Sequence, residues 1–256
     1  MIRFYFSIIM NFFHLWLIPY MRYVDRHKNN SKYTPEYKYS LVQRVVRHVT
    51  HASNVTTNYH GTENIPTEGN YVAYVNHEGK YDTIALLPPF KDPMSIVMDY
   101  KRSHMILCDE VMKMVDGKRL KRDDVRQAIT VMTEVAEDLK RGRRFLIFPE
   151  GGYLHDKGNK LYPFKPGAFK CALKAHSTIV PTVLYNMGEV YKYTSLKHME
   201  NDIYFLPPIY YDEYKDLKTG EVAELVRGRI AEKLAELDNI PVDEVYTEIP
   251  ENAVLI

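Results

Sequence analysis

The feature that most constrains this chain is the alternation of short strand-forming runs with helical segments. Tyr71–Val75, Met94–Met98, Phe145–Phe148 and Thr178–Leu184 read as strands, and Ile203–Leu206 as another, ended by two prolines. Between them, Val125, Ile129, Met132, Val135, Ala136 and Leu139 fall on one helical face with Gly142 just past the end. Asp82–Leu87 reads as a short helix stopped by Pro88-Pro89, and Arg102–Met114 and Thr219–Leu237 as longer ones. Phe164-Lys165-Pro166-Gly167 opens a helix that runs through Leu173. Such a chain predicts an α/β fold: a central mixed, mostly parallel sheet flanked by helices. The expected division is an N-terminal helical element over 1–53, the α/β domain over 54–240 and a tail over 241–256.

The N-terminal element is expected to associate with a membrane. Phe4 to Tyr20 is the most apolar stretch and carries no fixed charge, but falls short of the roughly 20 residues that cross a bilayer. Ser7, Asn11 and His14 line one side of a helix there, which suits a helix half-immersed in a leaflet. Arg22, Arg26 and Lys28 follow; if the segment spans, they keep the downstream domain on the cytoplasmic side. Tyr37 to Thr50 then reads as a second, surface-lying helix. The formal net charge of +1 lends no support to nucleic-acid binding. Cys108 and Cys171 are the only cysteines and form no CxxC, which argues against a disulfide scaffold or a cysteine zinc site.

Two sheet-edge motifs carry chemistry. The strand Tyr71–Val75 ends in Asn76-His77, and Asp82 follows five positions after the histidine. A histidine beside an orienting carboxylate is a candidate general base. The spacing alone is weak, because His104 and Asp109 repeat it. On a continuous helix five positions place side chains about 140° apart, so the pair meets only if the histidine precedes a helix and the acid opens it. His77 has that setting, whereas His104 reads as lying inside a helix. The second motif is Phe148-Pro149-Glu150-Gly151-Gly152, an apolar strand that delivers an acid and glycine N–H groups to the edge where α/β proteins bind ligands. A third candidate is the basic run Lys118 to Arg122, suited to an anionic acceptor or a phosphopantetheine thioester.

Taken in order, Asn76-His77-x4-Asp82, Arg122, Phe148-Pro149-Glu150-Gly151 and Ile179-Val180-Pro181 resemble the four blocks of the glycerolipid acyltransferase family. Gly61-x-Glu63-Asn64-Ile65-Pro66 and Phe164-Lys165-Pro166-Gly167-Ala168-Phe169 resemble its flanking pieces, so the likeness spans about Tyr59 to Pro208. The resemblance implies transfer of a fatty acyl group from acyl-CoA or acyl-carrier protein to a lysophospholipid hydroxyl, with 1-acylglycerol-3-phosphate the favoured acceptor. It implies His77 as base, Asp82 as its partner, and no metal or cofactor. Asn76, Arg122, Glu150, Gly151, Gly152 and Pro181, with Lys118 and Lys165, are then expected on the substrate side. Where the family usually reads Glu-Gly-Thr-Arg, this chain has Glu150-Gly151-Gly152-Tyr153, so one phosphate partner is missing; Lys118, Arg119 and Lys121 are candidates to replace it. A different lysolipid or glycolipid acceptor, thioester hydrolysis and a non-catalytic membrane-binding module remain the alternatives.

Overall fold

The computed structural model describes residues 16–105, 107–154, 157–188, 190, 197–251, 253 and 255. Most of the apolar segment Phe4–Tyr20 therefore lies outside the described residues. Among the described residues, helix α1 (Leu17–Arg26) and helix α2 (Pro35–Ala52) precede strand β1 (Val55–His60). Strand β2 (Tyr71–Val75), helix α3 (Asp82–Leu86) and strand β3 (Met94–Asp99) follow. Helix α4 (Cys108–Met114), strand β4 (Lys118–Leu120), helix α5 (Val125–Lys140) and strand β5 (Arg144–Ile147) make the middle of the chain. Helix α6 (Lys170–Ala175), strands β6 (Thr178–Tyr185) and β7 (Met199–Phe205), and helices α7 (Tyr211–Tyr214), α8 (Thr219–Asp238) and α9 (Val242–Val245) complete it.

The strands form one seven-stranded sheet in the order β1-β7-β6-β2-β5-β3-β4, as expected mixed and mostly parallel. Only the β6–β7 pairing is antiparallel. β2 lies at the centre and every one of its side chains is buried, because helices cover both faces. Tyr71, Ala73 and Val75 join the layer built by α1 to α4, while Val72 and Tyr74 face α5, α6 and α8. Leu17, Met21 and Val24 of α1 are buried in the first layer, and Arg22 Nε donates to the buried Glu110 of α4 at 2.6 Å. The N-terminal pair of helices is thus packed on the sheet.

One expected element breaks. Arg102–Met114 is not a single helix but a 3-10 turn over Arg102–His104, an extended Met105, and α4 starting at Cys108. The backbone polar groups explain it: Asp99 Oδ1 accepts from Arg102 N, and Glu110 reaches back to Leu107 N at 2.7 Å. The first contact caps an N–H of the opening turn, and the second satisfies a donor that a continuous helix would have bonded to its own carbonyl. The helix after Phe164 likewise begins as a 3-10 turn, Pro166–Phe169, before α6.

The Gly61 block has a backbone cause. Gly61 takes the left-handed φ of +68°, and a Cβ there would collide with the Phe205 carbonyl oxygen. Asn64 Nδ2 donates to that same oxygen at 2.8 Å, pinning the turn to the end of β7. Gly61→Ala is expected to destabilise the protein by about 1–3 kcal/mol through conformational strain and this backbone collision. Chemical denaturation of the two proteins measures it; an unchanged midpoint would remove the constraint.

Candidate active site

The site begins where the β2 ladder ends. Beyond Val75, the buried Asn76 side chain substitutes for a strand backbone: its Oδ1 accepts from Leu184 N at 2.7 Å and its Nδ2 donates to Leu184 O at 3.0 Å. The pairing with β6 is thereby prolonged by a side chain, and the main chain is released to turn. Glu78 makes a second attachment, its Oε2 accepting from Met187 N at 2.7 Å and Gly188 N at 3.1 Å. Burial, reinforced by the charge of Asp82, pushes the Glu78 carboxyl up to about 8, although Lys157 and the two amides oppose the shift.

The turn folds around one carboxylate. Asp82, wholly buried, opens α3, and its Oδ2 accepts from Glu78 N at 2.7 Å and Gly79 N at 2.9 Å. The same oxygen lies 2.6 Å from His77 Nδ1. An oxygen already accepting two amides meets a ring nitrogen as an acceptor, so Nδ1 carries a proton and, in the neutral ring, the lone pair is on Nε2. Phe148 stacks on the imidazole with centroids 4.3 Å apart, and Tyr153 meets it edge-on at 4.5 Å. Held in this way, the His77 side chain is 18% exposed. The Tyr153 phenol is pushed up to about 12 by burial and by the nearby Asp82 charge, and so stays neutral.

Glu150 ties the second motif to the first. Its Oε1 accepts from His77 N at 2.7 Å, its Oε2 from Tyr162 N at 2.9 Å, and Lys157 Nζ bridges both oxygens at 2.9 and 2.7 Å. The Glu150 and Lys157 side chains are 0% and 1% exposed. Gly151 follows with φ +77°, and its carbonyl accepts from Arg122 Nη1 at 3.2 Å. Arg122 Nε also pairs with Asp99 at 2.9 Å. Lys165 joins from the other side: its backbone N–H donates to Pro149 O at 2.9 Å, and its amine lies where a Gly151 Cβ would be only 2.6 Å away.

His77, Asp82, Glu150, Gly151, Gly152, Arg122 and Lys165 are therefore gathered at one sheet edge. Three expectations for the substrate side are corrected in kind. Asn76 and Glu150 are fully buried with their polar atoms engaged by protein groups, so each positions neighbours and offers no atom to a substrate. Lys118 is turned to α5, its amine 2.9 Å from Asp138 and 3.5 Å from Glu134. Pro181 is buried inside β6 opposite Tyr74, shaping the strand beside the site. The rival pair is loose: His104 Nδ1 is 3.9 Å from Asp109, whose carboxylate is held by Arg119 and Lys113 at 2.6 and 2.7 Å.

Sequence reasoning missed Glu78, Lys157, Tyr162 and the two rings on His77. Lys157 sits in a polar loop where nothing local distinguishes it from a solvated lysine. Phe148 and Tyr153 flank Glu150 in the motif itself and were open to the same reading.

This arrangement, an imidazole held by a buried carboxylate at a sheet edge beside a basic turn, defines a general acid–base site on an α/β fold. The family profile described as Acyltransferase matches residues 56–185, just over half of the chain. The chain belongs to the Acyltransferase family, as its ordered blocks led us to expect. It is 24% identical over 176 residues to 1-acyl-sn-glycerol-3-phosphate acyltransferase of Borreliella burgdorferi, across 68% of this chain and 70% of that protein. Against the Saccharomyces cerevisiae protein of the same name it is 27% identical over 184 residues, covering 71% and 60%. The crystal structure of the 1-acyl-sn-glycerophosphate (LPA) acyltransferase PlsC from Thermotoga maritima shares the fold, with a TM-score of 0.73 at 17% identity over 92% of this chain and 93% of that one.

Two predictions follow from the buried charges. Lys157→Met leaves the Glu150 carboxylate unpaired in the interior and is expected to cost about 3–5 kcal/mol, with Glu150→Gln in the same chain recovering part of it; equilibrium denaturation of single and double variants measures both. Glu78 holds its proton in the folded state up to about pH 8 but loses it near its ordinary 4.5 when unfolded. Folding stability from this group is complete below pH 4.5 and falls as pH rises towards 8, by at most about 1.4 kcal/mol per pH unit. Urea midpoints from pH 5 to 9 should fall for the native protein relative to Glu78→Gln; parallel curves would contradict the assignment.

Proposed function

We propose that this protein acylates the free hydroxyl of 1-acylglycerol-3-phosphate from an acyl thioester, either acyl-CoA or acyl-carrier protein, giving phosphatidic acid. The observation that carries the reading is the 2.6 Å contact of His77 Nδ1 with the buried Asp82, which leaves Nε2 to act as the base. The names of the relatives support the choice of acceptor.

In this mechanism Nε2 takes the proton of the lipid hydroxyl as its oxygen attacks the thioester carbonyl carbon. Asp82 holds the ring and stabilises the imidazolium that forms. Collapse of the tetrahedral species breaks the C–S bond, and the imidazolium returns its proton to the departing thiolate. An ester and a free thiol result, with no acyl-enzyme.

We also place the reaction at a membrane surface, on the cytoplasmic side. No helix among the described residues is long and apolar enough to cross a bilayer. Support comes from the aromatic series Trp16, Tyr20, Tyr23, Tyr33 and Tyr37 on and between α1 and α2, with Trp16 and Tyr23 about half exposed. Aromatic rings of this kind favour the headgroup level of a bilayer.

The test is turnover of a labelled acyl thioester with a panel of lysolipids. His77→Ala should lower kcat by about a thousandfold or more and Asp82→Asn by about a hundredfold or more, whereas His104→Ala should stay within about twofold. Equal activity of the His77 and His104 variants would end the assignment of the base. Failure of the native enzyme to use 1-acylglycerol-3-phosphate would reject the acceptor. Release of free fatty acid undiverted by lysolipid would point instead to a hydrolase.

A further inference from the structure

The tail beyond α9 returns to the active-site edge. Leu161 and Tyr246 form an isolated parallel bridge, with Leu161 N donating to Val245 O at 2.9 Å and Thr247 N to Leu161 O at 3.0 Å. The Arg227 guanidinium of α8 lies 4.3 Å from the centroid of the Tyr246 ring and braces this anchor. Leu161 belongs to the loop whose Lys157 and Tyr162 hold Glu150, so the tail sets out from beside the His77 turn.

Its far end touches a residue of the site. Leu255 O accepts from Arg122 Nη1 at 3.0 Å, the same nitrogen that donates to Gly151 O at 3.2 Å. Arg122 Nε is spent on Asp99, so the tail takes part of what the guanidinium has left to give. Leu255 is half-buried there. Between anchor and tip the chain is lightly held. Among the described residues from Glu248 to Ala253 the one hydrogen bond is local, Ala253 N to Pro250 O at 2.8 Å. A segment with so few backbone bonds opens at small cost. No described tail residue is hydrogen-bonded to the His77 or Asp82 side chain.

We propose that this tail is an autoinhibitory strap, whose tip at Leu255 competes with the acceptor lipid for Arg122. The inference rests on the reading of this chain as a lysolipid acyltransferase with Arg122 on the acceptor side. A peptide carbonyl is a neutral acceptor, and a charged headgroup oxygen makes the stronger bond to a guanidinium. The lipid therefore displaces the tip, while the anchor at Leu161 keeps the strap at hand to return. Tethering gives the tip a high local concentration, so a single contact is enough to compete. The strap raises the acceptor concentration needed for half-maximal rate and leaves the chemical step unchanged.

The experiment compares the full chain, a chain ending at Pro250, and Thr247→Pro, in mixed micelles with 1-acylglycerol-3-phosphate and an acyl thioester. The shortened chain loses the tip and keeps the anchor. Thr247→Pro keeps the tip and removes the amide that bonds Leu161 O; Tyr246 before it is already extended, with φ −74° and ψ 139°, as a residue preceding proline must be. In the shortened chain KM for the acceptor should fall about threefold or more, the size expected for one hydrogen bond, with kcat and KM for the thioester unmoved. Thr247→Pro should shift the acceptor KM in the same direction. An acceptor KM unchanged or raised in the shortened chain overturns the proposal, as does a thioester KM that falls with it, while the acyltransfer reading stays intact. If the shortened chain fails to fold, Thr247→Pro decides, and an acceptor KM that does not fall there overturns the proposal. If the full chain does not turn over 1-acylglycerol-3-phosphate, the acyltransfer reading falls. The strap is then judged by equilibrium binding of the same lipid, which must be about threefold or more tighter without the tip for the proposal to stand.

Discussion

One buried carboxylate oxygen organises the site. Asp82 Oδ2 accepts from Glu78 N, Gly79 N and His77 Nδ1, so a single atom fixes the turn, the ring tautomer and the direction in which Nε2 points. A buried carboxylate is costly unless hydrogen bonds replace its water; at Oδ2 the two amides do so before the imidazole adds a third, while the buried Oδ1 has no hydrogen-bond partner among the described residues. This explains why the acid must open α3. Only there do its oxygens face back into the turn that the histidine has just made.

A second layer of buried charge holds that turn against the sheet. Glu150 connects β5 to His77 N and, through Lys157 and Tyr162 N, to the loop beyond. Asn76 and Glu78 perform the corresponding task towards β6. A buried ion pair adds little to net stability once desolvation is counted, and here its effect is geometric. Three segments distant in sequence are brought into one register around the imidazole. The outer rim carries Arg122 and Lys165, on either side of the Gly151 turn.

Much of this was legible beforehand. β2, α5, β5, β6 and α8 fall within a residue or two of the ranges read from periodicity, since buried strands and amphipathic helices announce themselves by pattern. The helix over Arg102–Met114 failed because its pattern was apolar enough, but Asp99 and Glu110 capped local amides instead. His77 and Asp82 were found by their strand–turn–helix setting. Lys157 was not, because a lysine in a polar loop looks solvated until a buried glutamate is placed against it.

What the chain determined by itself is local: the order of strands and helices, the turn that brings Asp82 back to His77, and the blocks that mark the family. Those depend on interactions a few residues long. Which basic residues face the site was decided only by the tertiary structure. Lys118 and Arg119 lie close to Arg122 in sequence, yet helices α5 and α4 claim their charges. Lys165, more than forty positions away, reaches the turn because its own backbone pairs with Pro149 and Gly151 has no side chain to stop it. Charge pairing is settled by distance in space, and distance in space is a property of the packed sheet.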